Sequence, residues 1–278
     1  VFEGIEPDPS VETVMKGAEV MAKFQPDWII AMGGGSPIDA AKAMWIKYEY
    51  PEITFEEMCK VFGIPKLRKK AHFCAIPSTS GTATEVTAFS IITDYDKGIK
   101  YPIADFEITP DVAIVDPDLA ETMPVKLVAH TGMDAMTHAV EAYIGKSNTK
   151  QTIEQAEKAT KLIHANVEKA YNNGKDLEAR ANMLKGSYWA GCAFTRAYVG
   201  YVHAIAHNLG GLYGTPHGLA NAVILPYVLD WYADAAYPQL AKLADLIGIT
   251  TPDMSVEAKG KAFIAELRRM NAAMNIPD

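Results

Sequence analysis

The stretch IIAMGGGSPIDAAK, residues 29–42, passes from a continuous apolar run through three glycines into a helical pattern. An apolar run of this kind is typical of a parallel strand that is covered on both faces. Glycines let the backbone approach a ligand, and a helix N-terminus offers unpaired N–H groups, so the turn predicts a seat for a phosphate. We expect Ser36 to cap the helix, Pro37 to take its first position and Asp39 to lie close to a capping box. The stretch matches neither GxGxxG nor a Walker A loop, and a plain strand-to-helix turn is the alternative.

The alternation of strand and helix continues up to about Asp116. A helical pattern capped by Ser10 covers residues 11–24, and β-rich runs occupy 27–32, 72–77, 89–94 and 112–116. Strands that alternate with helices imply a parallel sheet flanked by helices.

After Pro117 the pattern becomes helical, and no convincing strand follows. The helical segments lie near residues 124–145, 151–171, 177–199, 201–213, 217–232 and 255–275. We therefore predict an α/β domain over residues 1–118 and an all-helical domain over residues 119–278.

A second loop of small and hydroxyl-bearing residues, IPSTSGTATEVT (76–87), follows the second strand candidate. Two such loops at the carboxyl ends of neighbouring strands predict a dinucleotide lying across the sheet edge. Such loops are also common as plain turns, so this one is supporting evidence. The hydroxyls that could bind phosphate or ribose belong to Thr79, Ser80, Thr82, Thr84 and Thr87, and Lys100 could reach the same ligand.

Histidines crowd two helical segments of the second half. His203 and His207 lie four residues apart, as do Asp134 and His138, so each pair shares one helical face. His217 begins the following helix, and Thr131 is available as a cap for the helix that carries Asp134. Facing helices that each present such a pair are a usual way to build a metal site in a helical domain.

One carboxylate with three imidazoles and no thiolate suits Fe(II), Zn(II) or Mn(II). Either pair alone could equally be a hydrogen-bonded helix face. The HExxH pattern of zinc proteases is absent. The three remaining histidines, His72, His130 and His164, are interpreted as structural.

The composition argues against some classes of binding partner. The formal net charge is −8, and no basic block is longer than residues 66–70, which argues against nucleic acid and anionic membranes as main partners. No apolar run has the length needed to span a bilayer. The three cysteines are interpreted as reduced, which favours a cytoplasmic protein.

Five motifs together resemble the iron-dependent (group III) alcohol dehydrogenases, close to butanol dehydrogenases and to the alcohol-dehydrogenase half of bifunctional aldehyde–alcohol dehydrogenases. The motifs are GGGSPIDAAK (33–42), IPSTSGTATEVT (76–87), DVAIVDPDL (111–119), TGMDAMTHAVEAY (131–143) and HAIAHNLGGLYGTPHGLANAV (203–223). The resemblance implies a Rossmann-like α/β domain followed by an all-helical metal-binding domain, the architecture shared with dehydroquinate synthases. It also implies that relatives carry further strand–helix units before this stretch and further helices after it.

The resemblance assigns roles residue by residue. The metal ligands would be Asp134, His138, His203 and His217, and His207 would lie beside the nicotinamide as a catalytic proton relay. Phe194 would line the substrate pocket. The cofactor would be bound by Gly34, Gly35, Ser36, Asp39, Thr79, Ser80, Thr82, Thr87, Phe89 and Lys100.

The implied function is hydride transfer between NAD(H) or NADP(H) and a primary alcohol or aldehyde, with Fe²⁺ expected and Zn²⁺ as an alternative. Such enzymes are expected to act on a small molecule as homo-oligomers, a dimer or larger. A glycerol or polyol dehydrogenase on the same fold is one alternative, and the extra ligand His138 argues against the dehydroquinate synthase branch. A metal-dependent hydrolase and a non-catalytic binding module are the alternatives of other classes.

Overall fold

The computed structural model describes residues 1–278, which fold into two compact units. The first unit comprises Val1–Thr79 and Ala83–Leu119, and the second comprises Ser80–Thr82 and Ala120–Asp278. The tripeptide 80–82 therefore packs with the second unit, although the residues before and after it in the sequence belong to the first unit.

The first unit is built from three helices and five strands, joined in part by 3₁₀ turns. In chain order they are α1 Val11–Phe24, β1 Trp28–Gly33, α2 Gly35–Glu49, α3 Phe55–Met58, β2 His72–Pro77, β3 Phe89–Asp94, β4 Ile99–Ala104 and β5 Val112–Ala113. Ser10 caps α1 as the sequence predicts, accepting a hydrogen bond from the Thr13 N–H at 3.1 Å.

A three-stranded parallel sheet in the order β1-β2-β5 forms the centre of the first unit. Its register places Gly33 beside Pro77, so the two small-residue loops leave the sheet from the same edge. Helix α2 covers one face, where the buried Trp45 lies 5.3 Å from the ring of Phe73. On the other face of β1, Trp28, Ile30 and Met32 are exposed.

The strand predicted over residues 89–94 exists, but it does not join the parallel sheet. It pairs antiparallel with β4, a strand the sequence reading missed, as a separate two-stranded ribbon. Residues 95–98 connect the two strands by a tight turn, which only an antiparallel pair allows.

The second unit is helical throughout, as predicted. Its helices are α4 Val125–Ile144, α5 Lys150–Asn172, α6 Leu177–Ala197, α7 Tyr201–Tyr213, α8 His217–Tyr232, α9 Tyr237–Ile247 and α10 Val256–Ala273. Six of them match predicted segments, whereas α9 was not predicted. None of the helices combines the length and apolar character that crossing a membrane requires.

Gly81 packs against α4 at a distance that only glycine allows. A Cβ on Gly81 would lie 2.4 Å from the Thr131 Cβ and 2.7 Å from the Thr131 carbonyl oxygen. Thr131, which the sequence offers as a cap, does not cap α4, because the helix begins earlier, at Val125. Thr131 instead donates its hydroxyl proton to the Leu127 carbonyl within the helix.

Candidate active site

Helix α4 carries Asp134 and His138 one turn apart, and both side chains are buried. Only 1% of Asp134 and 4% of His138 is exposed. The His138 ring lies 4.6 Å from that of His203, with the two planes 20° apart. The helical spacing thus directs both side chains to one point inside the second unit.

Helices α7 and α8 bring two more histidines to the same point. His203 Nε2 lies 3.7 Å from Asp134 Oδ1, and His217 Nε2 lies 3.5 Å from that oxygen. His217 is the first residue of α8, as the sequence predicts. One potential ligand atom from each of the four residues Asp134, His138, His203 and His217 lies within 4.8 Å of the others.

Several polar atoms at this point are buried without a hydrogen-bond partner. They are His138 Nδ1, His203 Nε2 and Asn221 Oδ1. Buried polar atoms are rarely left unpaired, and an absent ion is one of the accepted reasons. Asn221 also donates from Nδ2 to Asp134 Oδ1 at 2.6 Å, so it fixes the carboxylate that the histidines face.

The pKa shifts of Asp134, His138 and His203 favour the protonation states that bind a cation. Burial raises the pKa of Asp134, but the imidazoles of His138, His217 and His203 outweigh it and hold the pKa below its usual value. Burial lowers the pKa of His138 and places that of His203 well below the usual value. An ionised carboxylate and neutral imidazoles are the forms that ligate metals.

Two further residues hold the cluster in place. The ring of Phe194, on α6, stacks on His138 with centroids 4.1 Å apart and planes 13° apart. Glu141, on α4, places Oε2 2.6 Å from His203 Nδ1, and burial raises the pKa of its carboxyl group. Glu141 was not predicted, although it follows Asp134 by seven positions and therefore shares its helical face.

His207 lies outside the four-residue group. It is half-buried, and its ring centroid is 6.1 Å from that of His203 and 5.1 Å from that of His217. One turn of α7 separates it from His203, so it is next to the cluster without completing it.

The glycine turn of the first unit begins α2 two residues earlier than predicted. The N-cap is Gly34 and the helix starts at Gly35, so Ser36 is not the cap and Pro37 is not the first helical residue. The Ser36 hydroxyl oxygen instead accepts a hydrogen bond from the Asp8 N–H at 3.2 Å. Gly33 has φ +145°, which favours glycine, and a Cβ on Gly34 would lie 3.3 Å from Thr79 Cγ2.

A buried lysine on α2, which was not predicted as a functional residue, connects this helix to the second loop by hydrogen bonds. Lys42 is fully buried and donates to the Thr87 and Phe89 carbonyls at 2.7 and 2.9 Å. Asp39 accepts hydrogen bonds from the Thr84 hydroxyl and from the Ile91 N–H. Its carboxylate therefore joins α2 to the loop, and no capping box forms at the start of α2.

The other predicted cofactor residues lie at several places. Thr79 and Thr82 are half-buried, and Ser80 and Thr87 are buried. The Lys100 ammonium is paired with the Asp8 carboxylate at 2.6 Å, and only 4% of its side chain is exposed. That these residues contact a nucleotide remains a prediction.

Comparison with known proteins identifies the family. A sequence-family model described as iron-containing alcohol dehydrogenase matches residues 1–117. A second family model, described as the C-terminal part of the Fe-containing alcohol dehydrogenase family, matches residues 128–278. The chain belongs to the iron-containing alcohol dehydrogenase family. The resemblance read from the five motifs is thereby confirmed.

Two curated relatives illustrate the range of similarity. The NADPH-dependent butanol dehydrogenase of Clostridium saccharobutylicum is 53% identical over 280 residues, which cover 100% of this chain and 70% of that protein. The bifunctional aldehyde-alcohol dehydrogenase of Escherichia coli strain K12 is 40% identical over 301 residues, covering 100% of this chain and 34% of that protein. The chain thus spans about a third of the bifunctional enzyme.

Solved structures confirm the predicted fold class. The crystal structure of 1,3-propanediol oxidoreductase superimposes with a TM-score of 0.94 at 38% identity, covering 99% of this chain and 72% of that one. An alcohol dehydrogenase from Oenococcus oeni also gives 0.94, at 32% identity, covering 99% of this chain and 71% of that one.

As a member of this family, the chain is an oxidoreductase of alcohols and aldehydes that uses iron and a nicotinamide cofactor. Family membership does not favour the hydrolase alternative. The four-residue group fits a divalent cation on its own evidence. It combines one carboxylate with three imidazoles, and two of the imidazole nitrogens are buried and unpartnered.

Proposed function

We propose that this chain carries the catalytic centre of an enzyme that transfers a hydride between NAD(P)(H) and a primary alcohol or aldehyde. The observation that carries the proposal is the convergence of Asp134, His138, His203 and His217, with buried nitrogens left unpaired. The 53% identity to an NADPH-dependent butanol dehydrogenase favours NADPH and a short primary alcohol.

The metal would be held by those four side chains, with Fe²⁺ as the family's ion and Zn²⁺ as the alternative. A divalent cation there supplies Lewis-acid polarisation of the substrate oxygen. The chain's own residues do the rest of the positioning. Asn221 fixes the Asp134 carboxylate, and the stacked ring of Phe194 restrains His138 and would line the substrate pocket.

His207 is proposed as the proton relay. It stands beside the cluster and is half-buried, and an imidazole at such a place can exchange a proton with the substrate hydroxyl. Asp134 and the three other histidines already offer four ligands, and a catalytic metal needs an open position for substrate.

The nucleotide would be bound by residues 1–118. The N–H groups at the start of α2 would face the pyrophosphate, helped by Gly34, Gly35 and Ser36. Thr79, Ser80, Thr82, Thr87, Phe89, Lys100 and Asp39 would line or support the remaining path. This proposal assigns residues 1–118 to a dinucleotide-binding domain and residues 119–278 to a metal-binding catalytic domain.

We further propose a homo-oligomer in the cytoplasm that binds neither nucleic acid nor membranes. The net charge of −8 supports the absence of a polyanionic partner. The exposed apolar side chains of Trp28, Ile30 and Met32 on β1 support association with further protein.

The decisive experiment combines metal analysis with aldehyde reduction. The purified protein, loaded anaerobically with Fe²⁺ or Zn²⁺, is dialysed against a weak chelator, assayed for metal and tested with butyraldehyde and either NADH or NADPH. We expect one bound equivalent, and its loss in His217→Ala because one of four ligands is removed. The control is His72→Ala, at an exposed histidine away from the cluster, and this variant should keep its metal. A metal-free, inactive protein, or a His217→Ala variant that keeps a full equivalent, would contradict the proposal.

A further inference from the structure

Glu141 is a buried carboxylate with a different partner on each oxygen. Its Oε1 accepts a hydrogen bond from the Val202 N–H at 2.8 Å, and its Oε2 lies 2.6 Å from His203 Nδ1. Only 3% of the residue is exposed, so water does not compete for either oxygen.

The Val202 N–H belongs to the first turn of α7, whose N-cap is Gly200. Glycine has no side chain to cap a helix, so the carboxylate from α4 takes that part. A Cβ on Gly200 would lie 2.9 Å from Glu141 Oε1. The glycine therefore leaves the space that the carboxylate occupies.

These contacts determine which ring nitrogen of His203 carries the proton. A carboxylate only accepts hydrogen bonds, so His203 Nδ1 must donate to Oε2. A neutral imidazole has a single N–H, which leaves the lone pair on Nε2. That nitrogen is the one that faces Asp134 Oδ1 at 3.7 Å and has no partner in the protein.

We propose that Glu141 is the positioning residue of the metal centre: it holds His203 as the Nδ1–H tautomer and fixes its ring, so that the Nε2 lone pair points at the cation. This inference rests on the proposed metal site. Carboxylate–histidine–metal arrangements work in this way elsewhere, and their loss weakens metal binding.

A purely structural role, the capping of α7, is the competing explanation, and Glu141→Gln separates the two. Glutamine keeps the size of the side chain but offers one acceptor oxygen and one amide donor. With the oxygen kept on the Val202 N–H, the amide donates to His203 Nδ1, and the ring proton moves to Nε2. The cap then survives while the metal-facing lone pair is lost.

The matched control is Glu266→Gln. Glu266 Oε1 lies 2.8 Å from His164 Nε2, so this variant makes the same carboxylate-to-amide exchange at a histidine away from the cluster. Both variants should fold as the unaltered protein does.

The first measurement is the ring-nitrogen NMR spectrum of isotopically labelled histidines in the metal-free protein, with His203 assigned by its loss in His203→Gln. We expect Nδ1–H in the unaltered protein and in Glu266→Gln, and Nε2–H in Glu141→Gln. An Nε2–H tautomer in the unaltered protein overturns the inference, and this result does not depend on the folding of any Glu141 variant.

The second measurement is Zn²⁺ affinity by chelator competition. We expect a loss of about 10–100-fold in Glu141→Gln and none in Glu266→Gln. Equal affinities in the unaltered protein and Glu141→Gln overturn the inference while leaving the metal site intact. If the unaltered protein binds no Zn²⁺, or His203→Gln binds it as tightly, the proposed metal site fails instead.

Discussion

The ring of Phe194 lies almost flat on the imidazole of His138, with 13° between the planes and 4.1 Å between the centroids. Phe194 is itself buried, so its ring is held by packing and restrains the imidazole in turn. Aromatic contacts of this kind contribute about 0.5–1.5 kcal/mol beyond the area they bury.

Phe194→Leu should therefore weaken metal binding by up to about tenfold, because His138 gains rotational freedom. Zn²⁺ competition against a chelator measures this directly. Phe263→Leu is the control, since Phe263 is fully buried in the same unit but outside the cluster. The control should lose stability and keep its metal affinity. Equal metal affinities in the two variants would show that the stacking is packing alone.

His207→Ala should retain its metal and lose rate. The expected loss is about 10²-fold if the imidazole relays a proton, since general acid–base catalysis contributes on that order. Metal content and steady-state rates across pH are measured on one preparation. Asn208→Ala, an exposed neighbour on α7, serves as the control. Loss of metal would make His207 a ligand, and full activity at every pH would leave it no catalytic part.

Gly35→Val should weaken nucleotide binding without unfolding the protein. Gly35 is the first residue of α2, and a branched side chain there blocks the backbone N–H groups from a pyrophosphate. Titration calorimetry with NADPH gives the affinity, and circular dichroism reports the fold. Metal content should be unchanged, which separates the effect from damage to the cluster. Unchanged cofactor affinity would show that the loop is only a turn.

Glu85 should make stability depend on pH. Burial raises its pKa from 4.5 to about 7, so the native state holds a proton that the unfolded chain has released. This stabilisation is present below the unfolded pKa and is lost as pH rises through about 7. The two pKa values correspond to a change of about 3 kcal/mol in the free energy of unfolding.

Glu85→Gln removes that dependence, so its stability relative to the unaltered protein should rise between about pH 5 and about pH 8. Urea denaturation at the two pH values tests this. The exposed Glu52→Gln is the control and should show no such change. Parallel pH profiles for Glu85→Gln and the unaltered protein would mean that Glu85 is not protonated in the native state.

Periodicity was sufficient to predict the long helices and strands β1 and β2, because each buries one face or both against a core. It failed for β4, which contains Pro102. Proline has no backbone N–H to donate to a neighbouring strand, so a run that contains proline is not readily predicted as a strand. It is tolerated here because β4 has a neighbour on one side only. The helix α9 was missed although Leu240, Leu243 and Ala244 have helical spacing, because its pattern is short.

The convergence of Asp134, His138, His203 and His217 could be anticipated because helical spacing fixes which side chains share a face. The supporting residues could not. Glu141 matters through Val202 and His203, about 60 positions away, and Lys42 through carbonyls of the 87–89 segment. Backbone donors and acceptors have no residue-type signature, so only the folded chain shows which side chains they meet.

The close packing of Gly81 against Thr131 affects where the chain can be divided into fragments or exchanged between relatives. The polypeptide enters the helical unit at residue 80, leaves it after residue 82 and returns at residue 120, so the units are interleaved in sequence. A gene split after residue 119 would give a helical fragment without its tripeptide and an α/β fragment that carries three orphaned residues. Exchange of whole modules between relatives must therefore carry a discontinuous piece, which favours inheritance of the two units as one block.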